Sequence, residues 1–233
     1  RHATVLRFDF SPKEQEFYEA VVRFVRAHWN WAKLQPWAVG FALVMRERQA
    51  ASSIPAFRDH YVKGMTRLYR DAEDLDMVPG VLPDRVEPEK LSFPKQLRQA
   101  EKQLARSARR VGDIDTKYDL FLRVLREVLD SEPKGKVLVF SFFRKTLEYL
   151  RQKLSASGIH VVLIHGGVPV PERQDIVQEF HNTDEIRVLL SSEVGSEGID
   201  LQFCHVLFNY DLPWNPMKVE QRIGRIDRFG QRS

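Results

Sequence analysis

The run Val137-Leu138-Val139-Phe140-Ser141, with the segment that follows it, decides the fold of this 233-residue chain. Four apolar residues without strict alternation read as a strand buried on both faces. Arg144 to Ser157 then reads as a helix, with Leu147, Leu150 and Leu154 recurring on one side. The same texture repeats downstream. Apolar runs at Ile159 to Ile164, Ile186 to Leu190 and Val206 to Tyr210 are separated by helical stretches, one of which follows Pro171 and turns Ile176, Val177 and Phe180 inward. This alternation predicts an α/β fold, a parallel sheet flanked by helices, with ligands bound beyond the carboxyl ends of the strands.

Upstream of the first strand, Asp115 or Thr116 caps a helix whose apolar face is Tyr118, Phe121, Leu122, Leu125, Val128 and Leu129. It ends near Asp130, before Pro133 and Gly135. Before Gly112 the chain reads as a mainly helical extension. Ser11-Pro12 followed by Glu14 opens a helix well, because serine caps, proline suits the first turn and the acid suits the positive helix end. Phe17, Ala20, Val21, Phe24 and Val25 give that helix one buried stripe, and a second helix is expected from Trp37 to Ala51. Trp29, Trp31 and Trp37 read as core or interface packing, with base stacking as the alternative. We therefore divide the chain into a helical segment over residues 1–78, a linker and basic helix over 79–112, and the α/β lobe over 113–233.

The charge pattern is uneven. Overall the chain is +4, with a pI near 9.2, a mild basic bias. Seven acids lie between Asp71 and Glu89, and six bases lie between Lys95 and Arg110, with Pro79, Pro83, Pro88 and Pro94 punctuating a linker at 79–94. Arg98, Lys102 and Arg106 recur at helical spacing, as a solvated helix face or as a nucleic-acid contact. Apolar residues at 43% and charged residues at 29% exclude wholesale disorder. The single cysteine, Cys204, excludes an internal disulfide and points to a reducing compartment. No zinc-type spacing occurs, so no metal ligands are expected, and no apolar run reaches membrane-spanning length. From its first and last residues the chain reads as a piece of a longer cytoplasmic protein.

The chemistry concentrates after the last two strands. Ser191-Ser192-Glu193-Val194-Gly195-Ser196-Glu197-Gly198-Ile199-Asp200 offers bare backbone N–H groups and hydroxyls suited to a phosphate or a sugar, although such turns are also often only turns. Asp211-Leu212-Pro213-Trp214-Asn215-Pro216 leads into a helix expected to stop near Gly230. Arg222, Arg225 and Arg228 fall within about 120° of its surface. Glu220 and Asp227 neutralise part of that charge, but an array of phosphates explains three guanidiniums on one face better.

On these residues the chain resembles a known family. Gln221-Arg222-Ile223-Gly224-Arg225-Ile226-Asp227-Arg228, extended through Phe229-Gly230-Gln231, is similar to motif VI of superfamily 2 helicases in its Swi/Snf version. Ser192 to Asp200 resembles motif V, Val137 to Ser141 resembles motif IV, and Ile164-His165-Gly166-Gly167 with Glu172-Arg173 resembles the strand–turn–helix between them. The glutamate-rich motif V and the run from Glu220 to Gln231 resemble a bacterial branch that includes the RNA-polymerase-recycling ATPase and the DISARM-type phage-defence helicases. These motifs cover residues 115–231, and Ser11 to Val25 and Arg46 to Ser53 loosely resemble the segment joining the two motor lobes.

The resemblance implies a second RecA-like lobe, ending before the last strand that such lobes usually add after motif VI. It implies an ATP-dependent double-stranded DNA translocase, with ATP and magnesium held in a cleft mainly by a first lobe. That lobe's phosphate loop is absent from this sequence, which has no Gly-Lys-Ser/Thr, so the chain alone is expected to be inactive. Arg228 would be an arginine finger and Arg225 a second phosphate contact, with a salt-bridge role as the alternative for both. Gln221 would organise the closed cleft, and Gly198, Asp200, Glu197 and Arg222 would lie toward the nucleotide. Ser141, Phe142, Arg144, His165, Gly166 and Ser192 would follow the DNA backbone, although packing is the competing role for His165 and Phe142. Expected partners are nucleic acid, the first lobe, and a protein such as RNA polymerase or a defence-system subunit, with no membrane. Strand separation and a non-catalytic docking scaffold are the alternative functions.

Overall fold

A computed structural model describes residues 3–32, 37–61, 95–196, 198–213 and 216–226. The acidic block at 71–89 and the linker at 79–94 lie outside the described residues. The chain divides into two compact units, residues 1–70 with 83–126 and residues 71–82 with 127–233.

The first unit is helical: α1 (Pro12–Ala32), α2 (Trp37–Ser52), α3 (Ile54–Tyr61), α4 (Lys95–Val111) and the first turns of α5 (Thr116–Ser131). α1 packs chiefly on α4 and α2, around a core that includes Phe17, Val21, Phe24, Leu43, Phe57, Leu104 and Val111. The start of α1 is a capping box, in which the Ser11 N–H donates to the Glu14 carboxylate at 2.8 Å and the Glu14 N–H donates to Ser11 Oγ at 3.4 Å. Glu14 is buried, and its carboxylate also accepts from the Thr116 N–H at 2.9 Å, so one side chain serves two helix N-termini. Asp115 caps α5 through the Tyr118 N–H at 2.9 Å. Lys117 Nζ donates to the Ala51 and Ser52 carbonyls at 3.3 and 2.8 Å, at the C-terminus of α2.

The second unit is the α/β lobe. Strands β1 (Lys136–Phe140), β2 (Val161–Ile164), β3 (Val188–Ser191) and β4 (Cys204–Asn209) form one parallel sheet in the order β2-β3-β1-β4. Helices α6 (Arg144–Ala156), α7 (Val170–Asn182) and α8 (Pro216–Ile226) accompany it. β1 and β3, central in the sheet, are buried at every residue, as their sequences require. Among the described residues β2 and β4 are the outer strands and only partly buried, which corrects the expectation of burial on both faces for all four runs.

Two strand starts move for local reasons. The Ile159 N–H bonds back to the Leu154 carbonyl beside Gly158 at φ +77°, so Ile159 closes α6 and β2 begins at Val161. The Ile186 N–H closes a turn on the Thr183 carbonyl, so β3 begins at Val188. The carbonyls of Thr183 and Ile186 then accept from the buried Lys136 Nζ at 2.6 and 2.7 Å, and burial lowers the pKa of that ammonium. Because all four strands run the same way, the loops after β1, β2, β3 and β4 leave the sheet at one edge.

Candidate functional site

Ser141, Phe142 and Phe143 form the turn between β1 and α6. Ser141 is fully buried, and its hydroxyl donates to Asp211 Oδ2 at 2.5 Å. The Phe142 N–H donates to Asp211 Oδ1 at 2.8 Å and the Phe143 N–H donates to Ser141 Oγ at 3.2 Å. The neighbouring Tyr210 N–H donates to the Phe140 carbonyl at 2.8 Å, so the loop after β4 is tied to the turn after β1. Phe142 is half-buried and meets the buried Phe143 ring edge-on, with centroids 5.2 Å apart. Arg144 opens α6 half-exposed, its Nε donating to Glu148 at 2.9 Å beside Lys145 at 2.8 Å. Burial alone would raise the Glu148 carboxyl. The hydrogen bonds and charges of Lys145 and Arg144 outweigh it and hold that carboxyl below the ordinary glutamate range.

After β2, His165 Nδ1 accepts from the Gly167 N–H at 3.0 Å, which leaves the ring proton of the neutral tautomer on Nε2. Arg173, on α7, gathers three carbonyls: Val168 at 2.7 Å, Val194 at 3.0 Å and Gly166 at 3.1 Å. Its fork thereby staples the 165–168 turn to the loop after β3. That loop is close to the end of β2 in its own right. The Ser192 N–H donates to the Ile164 carbonyl at 3.1 Å, and the fully buried Ser192 hydroxyl accepts from the Gly195 N–H at 3.0 Å. A Cβ on Gly195 would stand 2.7 Å from that carbonyl oxygen. Further along, Gly198 holds φ +74° with open space where a Cβ would stand, and Asp200 is exposed, its Oδ1 accepting from the Gln202 N–H at 3.1 Å. Glu197 lies outside the described residues.

α8 is fixed to this edge at two points. Lys218 Nζ pairs with Glu193 at 2.9 Å, and Arg222 is buried to 1% exposure. Arg222 Nη1 donates to Asn209 Oδ1 at 2.7 Å and to the Asp211 carbonyl at 3.4 Å, and its guanidinium lies 5.0 Å from the Phe140 ring centroid. Gln221, next to it, is exposed. Arg225 belongs to the described helix, while Arg228 lies outside the described residues. Arg98, Lys102 and Arg106 are exposed on α4 in the first unit, and none is in an ion pair with another described residue.

The second unit thus brings Ser141, Phe142 and Arg222 together around Asp211, while Arg173 ties Gly166, in the turn that carries His165, to Val194, in the loop that begins at Ser192. Sequence reasoning gave neither Asp211 nor Asn209 nor Arg173 a role. Asp211 and Arg173 stand inside stretches that the sequence singles out and Asn209 inside the fourth apolar run, but nothing in those stretches says what each side chain meets. Among the described residues no group of His, Cys, Asp and Glu could hold a metal, and no helix is long and apolar enough to cross a membrane.

Comparison with known proteins gives consistent results. The family model for the helicase conserved C-terminal domain matches residues 117–230. An uncharacterized ATP-dependent helicase of Bacillus subtilis, YqhH, is 32% identical over 99% of this chain and 35% of its own length. The RNA polymerase-associated protein RapA of Vibrio vulnificus is 38% identical over 49% of this chain and 12% of its own length. The chain therefore spans about a third of the first relative and about an eighth of the second. The crystal structure of the C-terminal part of the Fun30 ATPase domain superposes with a TM-score of 0.62 over 100% of this chain and 82% of that one, a likeness of fold at 16% identity.

Proposed function

We propose, since residues 117–230 belong to the helicase conserved C-terminal domain family, that the chain is the second RecA-like lobe of a Swi/Snf-type superfamily 2 ATPase and serves an ATP-driven double-stranded DNA translocase. ATP and magnesium are held mainly by a first motor lobe, and this lobe closes on them. Residues 1–78 form the segment between lobes, 79–112 a linker and basic helix, and 113–233 the lobe itself. The protein works in the cytoplasm, and its protein partner is RNA polymerase or a defence-system subunit.

The observation that carries this reading is the clustering of the motif-bearing loops on one edge of the parallel sheet, with α8 locked to that edge by Arg222 and Lys218. The residues there suit a nucleotide's edge. Gly198 presents backbone in open space, and Asp200 and Gln221 are exposed. ATP with magnesium supplies the phosphoryl chemistry when bound, and the residues of this lobe supply charge and closure. Arg228 stabilises the charge that develops at the terminal phosphate, and Arg225 contacts the phosphates beside it. Gln221 organises the closed cleft, and Gly198, Asp200, Glu197 and Arg222 lie toward the nucleotide. The duplex runs along the turns at Ser141, Phe142 and Arg144, at His165 and Gly166, and past Ser192. Since Ser141 and Ser192 are buried, they serve by shaping those turns. Arg98, Lys102 and Arg106 add phosphate contacts from α4.

The test is Arg228→Ala in the protein carrying both lobes. kcat should fall by about 10³ or more while ATP affinity stays within a few fold, because the finger acts on the transition state. An unchanged kcat would return Arg228 to an ordinary ion pair. Steady-state ATP turnover by the purified 233-residue chain would refute the two-lobe reading.

A further inference from the structure

We infer that Asp211 is a positioning residue, a joint that transmits displacement of the Ser141–Phe143 turn to the arginine-bearing helix α8. Its two ends are tied to different partners. The side chain holds the turn, through Ser141 Oγ at 2.5 Å and the Phe142 N–H at 2.8 Å. The backbone carbonyl of the same residue receives Arg222 Nη1 at 3.4 Å, and that nitrogen also binds Asn209 Oδ1 at 2.7 Å, two residues earlier. Phe140 completes the connection, since its carbonyl accepts from the Tyr210 N–H at 2.8 Å while its ring lies under the Arg222 guanidinium at 5.0 Å.

A carboxylate with both oxygens in such bonds is fixed in position and orientation, because charge-assisted bonds are short and directional. Moving the turn must therefore move Asp211 or break two bonds. Moving Asp211 shifts its carbonyl, and with it the buried Arg222 on which α8 sits. A displacement at residues 141–143 thus has a covalent and hydrogen-bonded route into α8 within the second unit, through one two-ended residue. That the turn faces nucleic acid and that α8 faces ATP rests on the function proposed above. The joint itself rests on the bonds.

Two arms test it, one for the joint and one for what it joins. The first is amide hydrogen exchange on the chain with Asp211→Ala and Asp211→Asn. The alanine should speed exchange at Phe142 and Phe143 and, by about tenfold, at Glu220 to Gly224 of α8, with β3 amides unchanged. The asparagine keeps an oxygen for the Phe142 N–H and offers an N–H to Ser141 Oγ, so it should restore both regions. Faster exchange at the turn with α8 unchanged overturns the joint. So does a uniform rise that includes β3, since that is loss of stability alone. The second arm, in the two-lobed protein, is the ratio of kcat with duplex DNA to kcat without it. Asp211→Ala should lower this ratio about tenfold and Asp211→Asn should restore it. An unchanged ratio overturns the coupling of turn to catalysis. A wild-type protein that duplex does not stimulate refutes the proposed function, and the exchange arm still decides the joint.

Discussion

Three glycines in the lobe predict three different effects for the same change to alanine, a large loss of stability, a small loss and a gain. At Gly195 the new Cβ would stand 2.7 Å from the Ile164 carbonyl oxygen and 2.9 Å from both Cα and N of His165. Comfortable contact needs about 3.5 Å, so the overlap approaches an ångström. All three atoms are backbone, and they are held by the pairing of Ile164 with Ser191 and by the Ser192 N–H on the Ile164 carbonyl at 3.1 Å. Overpacking costs typically 1–3 kcal/mol, and without a flexible neighbour to yield, Gly195→Ala should cost about 3 kcal/mol. Gly198 has open space at its Cβ position but φ +74°, so Gly198→Ala should cost only the left-handed penalty, about 1 kcal/mol. Gly224 is an exposed position in α8 with nothing near its Cβ, and Gly224→Ala should stabilise by about 0.5–1 kcal/mol. Urea titrations read at the β1 and β3 amides give all three values. A Gly195→Ala variant within 0.5 kcal/mol of wild type, or an order other than Gly195, Gly198, Gly224, would refute the close approach of the two loops (about 0.5 kcal/mol being the ordinary surface effect).

Two further outcomes follow from charge. Burial pushes the Cys204 thiol up to about 12, the nearby Lys136 charge offsetting this in part. The folded thiol therefore keeps its proton where the unfolded one, near 9, loses it, so its contribution is complete below pH 9 and is lost between pH 9 and about 12. By pH 10.5 that loss is about 2 kcal/mol, and Cys204→Ala should lack it when stabilities at pH 8 and 10.5 are compared. Parallel losses in the two proteins would contradict the burial argument. Changing Arg98, Lys102 and Arg106 together to glutamine should flatten the slope of log K against log salt for duplex binding by about two to three, equally for unrelated sequences. An unchanged slope with lower thermal stability would assign the stripe to internal ion pairs.

Much of the lobe was legible because period and position carry the information. The continuous apolar runs of β1 and β3 announce full burial, and Ser11, Pro12 and Asp115 announce helix starts. A local pattern does not say which strands are edges, so β2 and β4 were read as more buried than they are. Periodicity also places Arg222 on one face with Arg225 and Arg228 without saying what that face meets. For Arg222 the partners are Asn209, Asp211 and Phe140, assembled only when β1 and β4 pair. Ser192 reads as a phosphate donor because serine in a glycine-rich turn often is one, and the family resemblance places Ser141 with it along the DNA backbone. Here the hydroxyls are used inside the turns, on Asp211 and the Gly195 N–H, and only tertiary contact reveals that choice.

The order β2-β3-β1-β4 also sets a timetable for the nascent chain. β1 is the first strand to be made and the one with neighbours on both sides, Val137 pairing with Val188 and with Val206. It emerges from the ribosome some fifty residues before one neighbour and some seventy before the other. At about 5–20 residues per second, Val137 to Phe140 waits on the order of seconds without a partner for any backbone hydrogen bond of the sheet. An unpaired apolar strand is the species on which chaperones act and from which aggregates start. β2 offers no relief, since among the described residues it pairs only with β3. Synthesis of β3 is therefore the committing event, joining both earlier strands at once, and translation pauses before Val188 should lower the soluble yield while pauses after Ser191 should not.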